Sequence, residues 1–150
     1  MRRATDRLVE DLRTGNRWVR AAAVRELGQT RDVQAVTPLL HTLRAPSKEA
    51  RAAAAEALGQ IADPRAVPPL VEALGDRHAE VRRAAALALG QMGAIAAEAV
   101  APLRERASSE TNAQVKAACE QAAQQIADAT RAAAAEGESD AATPPEAAAE

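Results

Sequence analysis

The segment "EARAAAAEALGQ", residues 49 to 60, sorts its side chains by polarity when counted at about 100° per residue. Ala50, Ala54, Ala57 and Leu58 share one face, and Glu49, Ala52, Ala53, Glu56 and Gln60 share the other. This periodicity predicts an amphipathic α-helix with a packing side and an open side. The pattern returns 31 residues to either side, as "WVRAAAVRELGQ" at 18 to 29 and "EVRRAAALALGQ" at 80 to 91, and a degenerate copy, "QVKAACEQAAQQ", stands at 114 to 125. In the first copy Val19, Ala23, Glu26 and Leu27 are expected to pack, and Trp18, Ala22, Arg25 and Gln29 to face out. In the third, Val81, Ala85, Ala88 and Leu89 pack, and Glu80, Arg83, Ala84, Leu87 and Gln91 face out; the fourth turns Gln114, Ala117, Ala118, Gln121 and Gln125 outward.

A second apolar motif lies between these copies: "AVTPLL" at 35 to 40, "AVPPLV" at 66 to 71, "AVAPLR" at 99 to 104, with a weak match in "TDRLVEDL" at 5 to 12. Two alternating motifs at fixed spacing define a repeat of two helices. The units span about 4–30, 31–61, 62–93 and 94–128. First helices are predicted over 4–13, 33–44, 64–74 and 95–107, and second helices over 17–28, 48–60, 79–91 and 113–128. Asp32 and Asp63 occupy N-cap positions of first helices, and Asn16, Ser47, His78 and Asn112 those of second helices. Gly28, Gly59 and Gly90 are expected to end the second helices in left-handed conformation, and Pro38, Pro69 and Pro102 to kink the first helices.

Composition narrows the picture. The chain is 47% apolar but has no Phe, no Tyr and a single Trp, so its core must be built from Ala, Leu, Val and Ile, which requires closely approaching helices. Good helix formers dominate and strand-type runs are missing, which indicates an all-α fold. A lone cysteine, Cys119, excludes an internal disulfide framework, and its alignment with Ala23, Ala54 and Ala85 marks it as a buried small residue, not a nucleophile. The start, MRRATDRLVEDLR, has no apolar run of signal-peptide length, and no stretch approaching about 20 apolar residues suggests a membrane span. A soluble, cytoplasmic protein is expected. Residues 129–150 lose Leu, Val and Ile, gain Pro144 and Pro145, and carry five acids against Arg131, a composition that predicts disorder after a frayed helix end.

The repeat pattern, (V/A)R-x-A-A-x-x-x-L-G-Q followed by D-(x)-R-A-V-x-P-L-(x)-x-x-L and clearest over 50 to 74, resembles the HEAT-like repeat of the phycobilisome (PBS) lyase type. The resemblance covers 4 to about 128 and implies a right-handed α-solenoid, an ARM/HEAT-like superhelix, in which each unit buries its face against its neighbours. It says little about function, because such proteins include scaffolds, chromophore lyase subunits and enzyme regulators. In solenoids of this type the open side of the second helices lines the concave surface where ligands dock. That assigns Trp18, Arg25, Gln29, Glu49, Glu56, Gln60, Glu80, Arg83, Leu87 and Gln91 to a candidate protein- or peptide-binding groove. Trp18 has two readings, an aromatic anchor for a partner or a cover for the first helix at the end of the array.

Arg20, Arg51, Arg82 and Lys116 recur once per unit and are expected to be structural, with Asp32 and Asp63 as available partners. A metal-binding relative, of the deoxyhypusine hydroxylase type, places His-Glu pairs seven and six residues before the repeat glycine. Those positions hold Ala21 and Ala22, Ala52 and Ala53, and Arg83 and Ala84. His41 and His78 have no partnering acid pattern, and there is no CxxC, HExxH, phosphate-binding glycine loop or Gly-x-Ser-x-Gly elbow, so no catalytic residue, metal or cofactor is assigned. Residues 1 to 31 contain eight arginines against four acids, but over 1 to 128 the balance is 18 basic against 16 acidic, and three glutamates lie in the groove. This disfavours nucleic acid. The expected role is a non-enzymatic scaffold or adaptor, with a bilin lyase subunit or chaperone-like accessory factor as the alternative. End-to-end self-association through the N-terminal unit is a further expectation, because terminal repeats need a polar outer face.

Overall fold

The structure is a computed structural model that describes residues 2–141. Among these residues there are eight α-helices and no strand: α1 (Arg2–Thr14), α2 (Arg17–Thr30), α3 (Val36–Thr42), α4 (Lys48–Ile61), α5 (Val67–Ala73), α6 (Ala79–Met92), α7 (Val100–Ser109) and α8 (Ala113–Ala141). The even-numbered helices lie side by side in one layer, α2 on α4, α4 on α6 and α6 on α8. Each also packs on the odd-numbered helix before it, which forms the second layer. The result is an all-α solenoid of helix pairs. Between the layers, Leu27, Leu39, Leu58, Leu70, Leu89, Leu103 and Ile126 are fully buried together with a large set of alanines.

The capping chemistry read from the sequence is present at most junctions. Asp32 and Asp63 accept hydrogen bonds from the Gln34 and Arg65 amides, each at 2.9 Å. The Asn16 side chain accepts from the amides of Trp18 and Val19, Ser47 from Ala50, and Asn112 from Gln114 and Val115. His78 holds the N-cap position of α6 without a side-chain cap; its own amide donates to Asp76 instead.

Three sequence expectations are corrected. Gly28, Gly59 and Gly90 do not terminate helices but lie buried within α2, α4 and α6; the positive-φ residues come later, Arg31 and Ala62 in left-handed conformation and Gly93 at φ +61° and ψ −135°. The glycines are there for helix approach. A Cβ on Gly59 would sit 2.7 Å from the Ala88 Cα, and one on Gly90 would sit 3.1 Å from the Ala122 Cα. The prolines do not kink continuous helices either. Each predicted first helix of units two to four splits into a 3-10 segment (Val33–Ala35, Pro64–Ala66, Gly93–Ala99) followed by an α-helix, and Pro38, Pro69 and Pro102 fall in the first turn of the latter. An absent N–H costs little there. Finally, α8 continues through Ala141, past the onset of disorder predicted at 129; alanine's helix propensity carries it, with 130–139 exposed, and 142–150 lie outside the described residues.

One stretch, Ala79–Ser109, contains an 18-residue window with a mean hydropathy of 1.5, long and apolar enough by composition alone to cross a bilayer, so the expectation of no such stretch is also corrected. In the fold it is α6 and α7 with a 3-10 segment between them, broken at Gly93, where φ is +61°, and its Val81, Leu89 and Leu103 are buried in the core.

Candidate binding groove

The even-numbered helices enclose a groove of about 780 Å³ across α2, α4 and α6. Its floor is the open side of α4, Glu49, Ala52, Ala53 and Glu56. One wall is the flank of α2 with Arg17, Arg20, Ala21 and Val24, and the other is α6 with Glu80, Arg83, Ala84, Leu87, Ala88 and Gln91. Alanines line the middle, so a ligand's main chain can approach the helices closely. Charges stand around them, three arginines and three glutamates.

Six of the ten residues placed in the groove from sequence come together there: Glu49, Glu56, Glu80, Arg83, Leu87 and Gln91. Four do not line it. Gln29 and Gln60 line a separate cleft at the far ends of the helices, with Gln91 shared between the two spaces. Gln60, Gln91 and Gln125 each lie beside a glycine of the even-numbered helix before their own, Gln60 on Gly28, Gln91 on Gly59 and Gln125 on Gly90. Trp18 and Arg25 are exposed on α2 beside the groove-lining residues but outside the lining itself. Trp18 is 77% exposed, with the Arg17 guanidinium 5.7 Å from its ring centre, so the reading of it as a cover for the first helix is overturned. Arg17, Arg20, Ala21, Val24 and Ala88 were missed. An end helix contributes to a concave surface with the side that faces its neighbour, whereas a middle helix contributes its outward side, and one helical wheel applied to every unit cannot tell the two apart.

The packing sides also differ at the ends. Val19 and Glu26, expected to pack, are exposed, and Ala118, expected to face out, is buried, because among the described residues no even-numbered helix precedes α2 in its layer, while α8 lies along both α6 and α7.

Glu49 is held in place by the Ser47 hydroxyl, which donates to its carboxylate at 3.0 Å. Its own backbone N–H, then Ser47, and more weakly Lys48 and Arg20 keep its carboxyl below the usual range, so the groove floor stays anionic. Behind the groove two of the four repeated basic residues, Arg51 and Arg82, are structural, but with partners other than Asp32 and Asp63. Arg51 makes a two-pronged pair with Asp76 at 2.9 and 3.2 Å and caps the carbonyls of Ala45 and Pro46. Arg82 does the same with Glu110, at 2.9 and 3.0 Å, and with the Asp76 carbonyl. Asp32 and Asp63 are occupied as caps, Asp32 also accepting from Thr5 and Asp63 from the Arg65 side chain. Arg20 keeps only the carbonyl contact, to Gly15, because Ala45 stands where Asp76 stands one unit later; Lys116 is exposed.

Glu110 is almost completely buried, and hydrogen bonds from Arg82, together with the Asn112 amide and Arg106, hold its carboxyl at about 2 against the cost of burial. Burial of Asp76 pushes its carboxyl up, and the bonds from Arg51 and the His78 amide more than offset it, leaving it below the ordinary range. Burial pushes the Cys119 thiol up, which suits a packing residue.

Stacked helix pairs with one concave face define an α-solenoid built from helical repeats. The model for HEAT repeats matches residues 36–124, more than half of the chain, and the model for the PBS lyase HEAT-like repeat matches residues 19–44. The chain belongs to the HEAT-repeat family. No curated protein matches it.

Proposed function

We propose that this protein is a non-catalytic scaffold or adaptor that takes a protein or peptide segment along the groove across α2, α4 and α6. The observation that carries the reading is the lining itself: small side chains at Ala21, Ala52, Ala53 and Ala84, bordered by the arginines 17, 20 and 83 and the glutamates 49, 56 and 80. Such a surface suits a main chain laid against alanines with mixed charges to either side, and its glutamates oppose a nucleic-acid backbone. A reversal of charge at the floor tests this directly. Purified wild type and Glu56→Arg, matched for helicity by circular dichroism, are used to capture partners from native lysate. A specific partner should be lost or weakened at least about tenfold by the variant, because a like-charge contact replaces an attractive one. Full retention of every partner would remove the groove from the proposal.

The match of residues 19–44 to the PBS lyase HEAT-like repeat favours a second reading, an accessory factor for tetrapyrrole attachment or removal. Titration with a bilin separates the two. A shifted visible spectrum that Glu56→Arg abolishes supports the accessory role, and an unshifted spectrum leaves the scaffold reading alone.

A further inference from the structure

Arg20, Arg51 and Arg82 stand one repeat apart, each the fourth residue of its helix, in α2, α4 and α6. In α4 and α6 the guanidinium is fully used. Its Nη1 donates to carbonyls of the loop before its own helix, and its Nε and Nη2 donate to the two oxygens of one carboxylate, Asp76 for Arg51 and Glu110 for Arg82. A third donor completes each site, the backbone N–H two residues after the acid: that of His78 to Asp76 at 2.9 Å and that of Asn112 to Glu110 at 3.0 Å. Around Arg20 the same donors recur without the acid. Its Nη1 donates to the Gly15 carbonyl, but the position one repeat before Asp76 is Ala45, and among the described residues Arg20 makes no salt bridge. The Ser47 N–H, one repeat before that of His78, likewise has no acceptor among the described residues.

We infer that the corner formed by Arg20, Ala45 and Ser47 is a carboxylate-binding site, which takes from a bound peptide the acidic group that Asp76 and Glu110 supply from within the chain. Three observations select this ligand. The two equivalent arginines each hold a carboxylate through the same Nε and Nη2 edge, and a planar fork with an added amide matches two carboxylate oxygens. Alanine at 45 is shorter than aspartate by one carboxylate group, so the acid can come from outside without displacing a side chain of the fold. Of the three arginines, Arg20 alone lines the groove, with Arg17 on the same wall. Glu49, in the same lining, accepts from the Ser47 hydroxyl and makes no ion pair with Arg20, so two arginines beside one glutamate leave the corner net positive. That the carboxylate belongs to a peptide rests on the proposed groove function; the site itself does not.

Nuclear magnetic resonance on the isotope-labelled full chain reads the site through the Arg20 Nε–H and the Ser47 amide. The probes are acetate, the blocked peptide Ac-Ala-Glu-Ala-NH2, and Ac-Ala-Ala-Ala with a free carboxyl end; sodium chloride at equal ionic strength and Ac-Ala-Gln-Ala-NH2 are the controls. Acetate and at least one of the two acidic peptides should shift both resonances saturably while the Arg51 and Arg82 Nε–H resonances stay in place. The tighter peptide assigns the carboxylate to a side chain or to a chain end. Arg20→Gln should weaken the Ser47 response at least about tenfold, and Ala45→Asp, which brings the acid within the chain, should abolish it. No saturable shift with any carboxylate would overturn the inference, as would equal shifts from the controls or an undiminished response in Ala45→Asp of native helicity. Partner capture by Glu56→Arg keeps the two proposals apart. Partners retained by that variant remove the groove function and leave an acetate response at Arg20 standing, whereas partners lost with no response at Arg20 remove the carboxylate site alone.

Discussion

At the scale of the residue, the least obvious feature is the pair of arginine clamps that tie one unit to the next. Arg51 and Arg82 each leave a second helix and close on a carboxylate 25 and 28 residues further along the chain. A buried pair of this kind is weak evidence for added stability, but removing one partner strands the other and costs about 3–5 kcal/mol. Glu110→Gln, which preserves shape and leaves Arg82 without its counter-charge, should therefore lower unfolding stability on that order in urea titration. The pH dependence has a definite sign. Because Glu110 titrates at about 2 in the folded chain against an ordinary value of 4.5, its contribution is complete above 4.5 and is lost as pH falls through about 2. Thermal melts of the wild type should fall steeply across that interval, and those of Glu110→Gln should fall less.

Gly59 makes a second prediction at this scale. Its missing side chain admits the backbone of α6, so Gly59→Ala should destabilise, by about 1–3 kcal/mol for the overpacking it forces. Gly137 lies in α8 with nothing near its Cα, and Gly137→Ala should raise the helix content by circular dichroism, with a gain up to about 1 kcal/mol in local helix stability. The same substitution is thus expected to have opposite signs at two helical glycines.

At the scale of the element, helix starts were legible because capping is local. Asp32, Asp63, Asn16, Ser47 and Asn112 all bond to amides two or three residues ahead, and no distant residue is needed to identify them. Helix ends were misjudged. Glycine at position 28, 59 or 90 has the right identity for a left-handed terminus, yet the chain pairs those turns with another helix and places the positive-φ residue three residues later, at Arg31, Ala62 and Gly93. Of the four even-numbered helices, α6 alone starts without a side-chain cap among those whose N-cap residue was read from the sequence. His78→Asn should supply one and raise the melting free energy by about 0.5–1 kcal/mol, measurable by thermal or urea denaturation.

At the scale of the molecule, stacking of four helix pairs converts separate helix faces into surfaces. Glu56, Glu80 and Arg83 become neighbours of Arg17 and Arg20 because α2, α4 and α6 lie side by side around one groove. The two ends of the layer become unlike, with Val19 and Trp18 open at one and Lys116, Glu120 and Gln124 at the other.

The amino-acid sequence by itself determined the repeat, the helix pairs, most helix starts, the all-α class and the buried leucines. Each of these follows from side-chain periodicity and short-range hydrogen bonding, interactions written within a few residues. Only the tertiary structure decided which carboxylate Arg51 and Arg82 hold, that the repeat glycines serve helix contact and not helix termination, and that Arg17, Arg20 and Val24, not Trp18, line the groove. Those outcomes depend on how neighbouring helices cross and which side of each has a neighbour, quantities set between residues some 25 to 32 positions apart, as in Arg51 with Asp76 and Gly28 with Gln60.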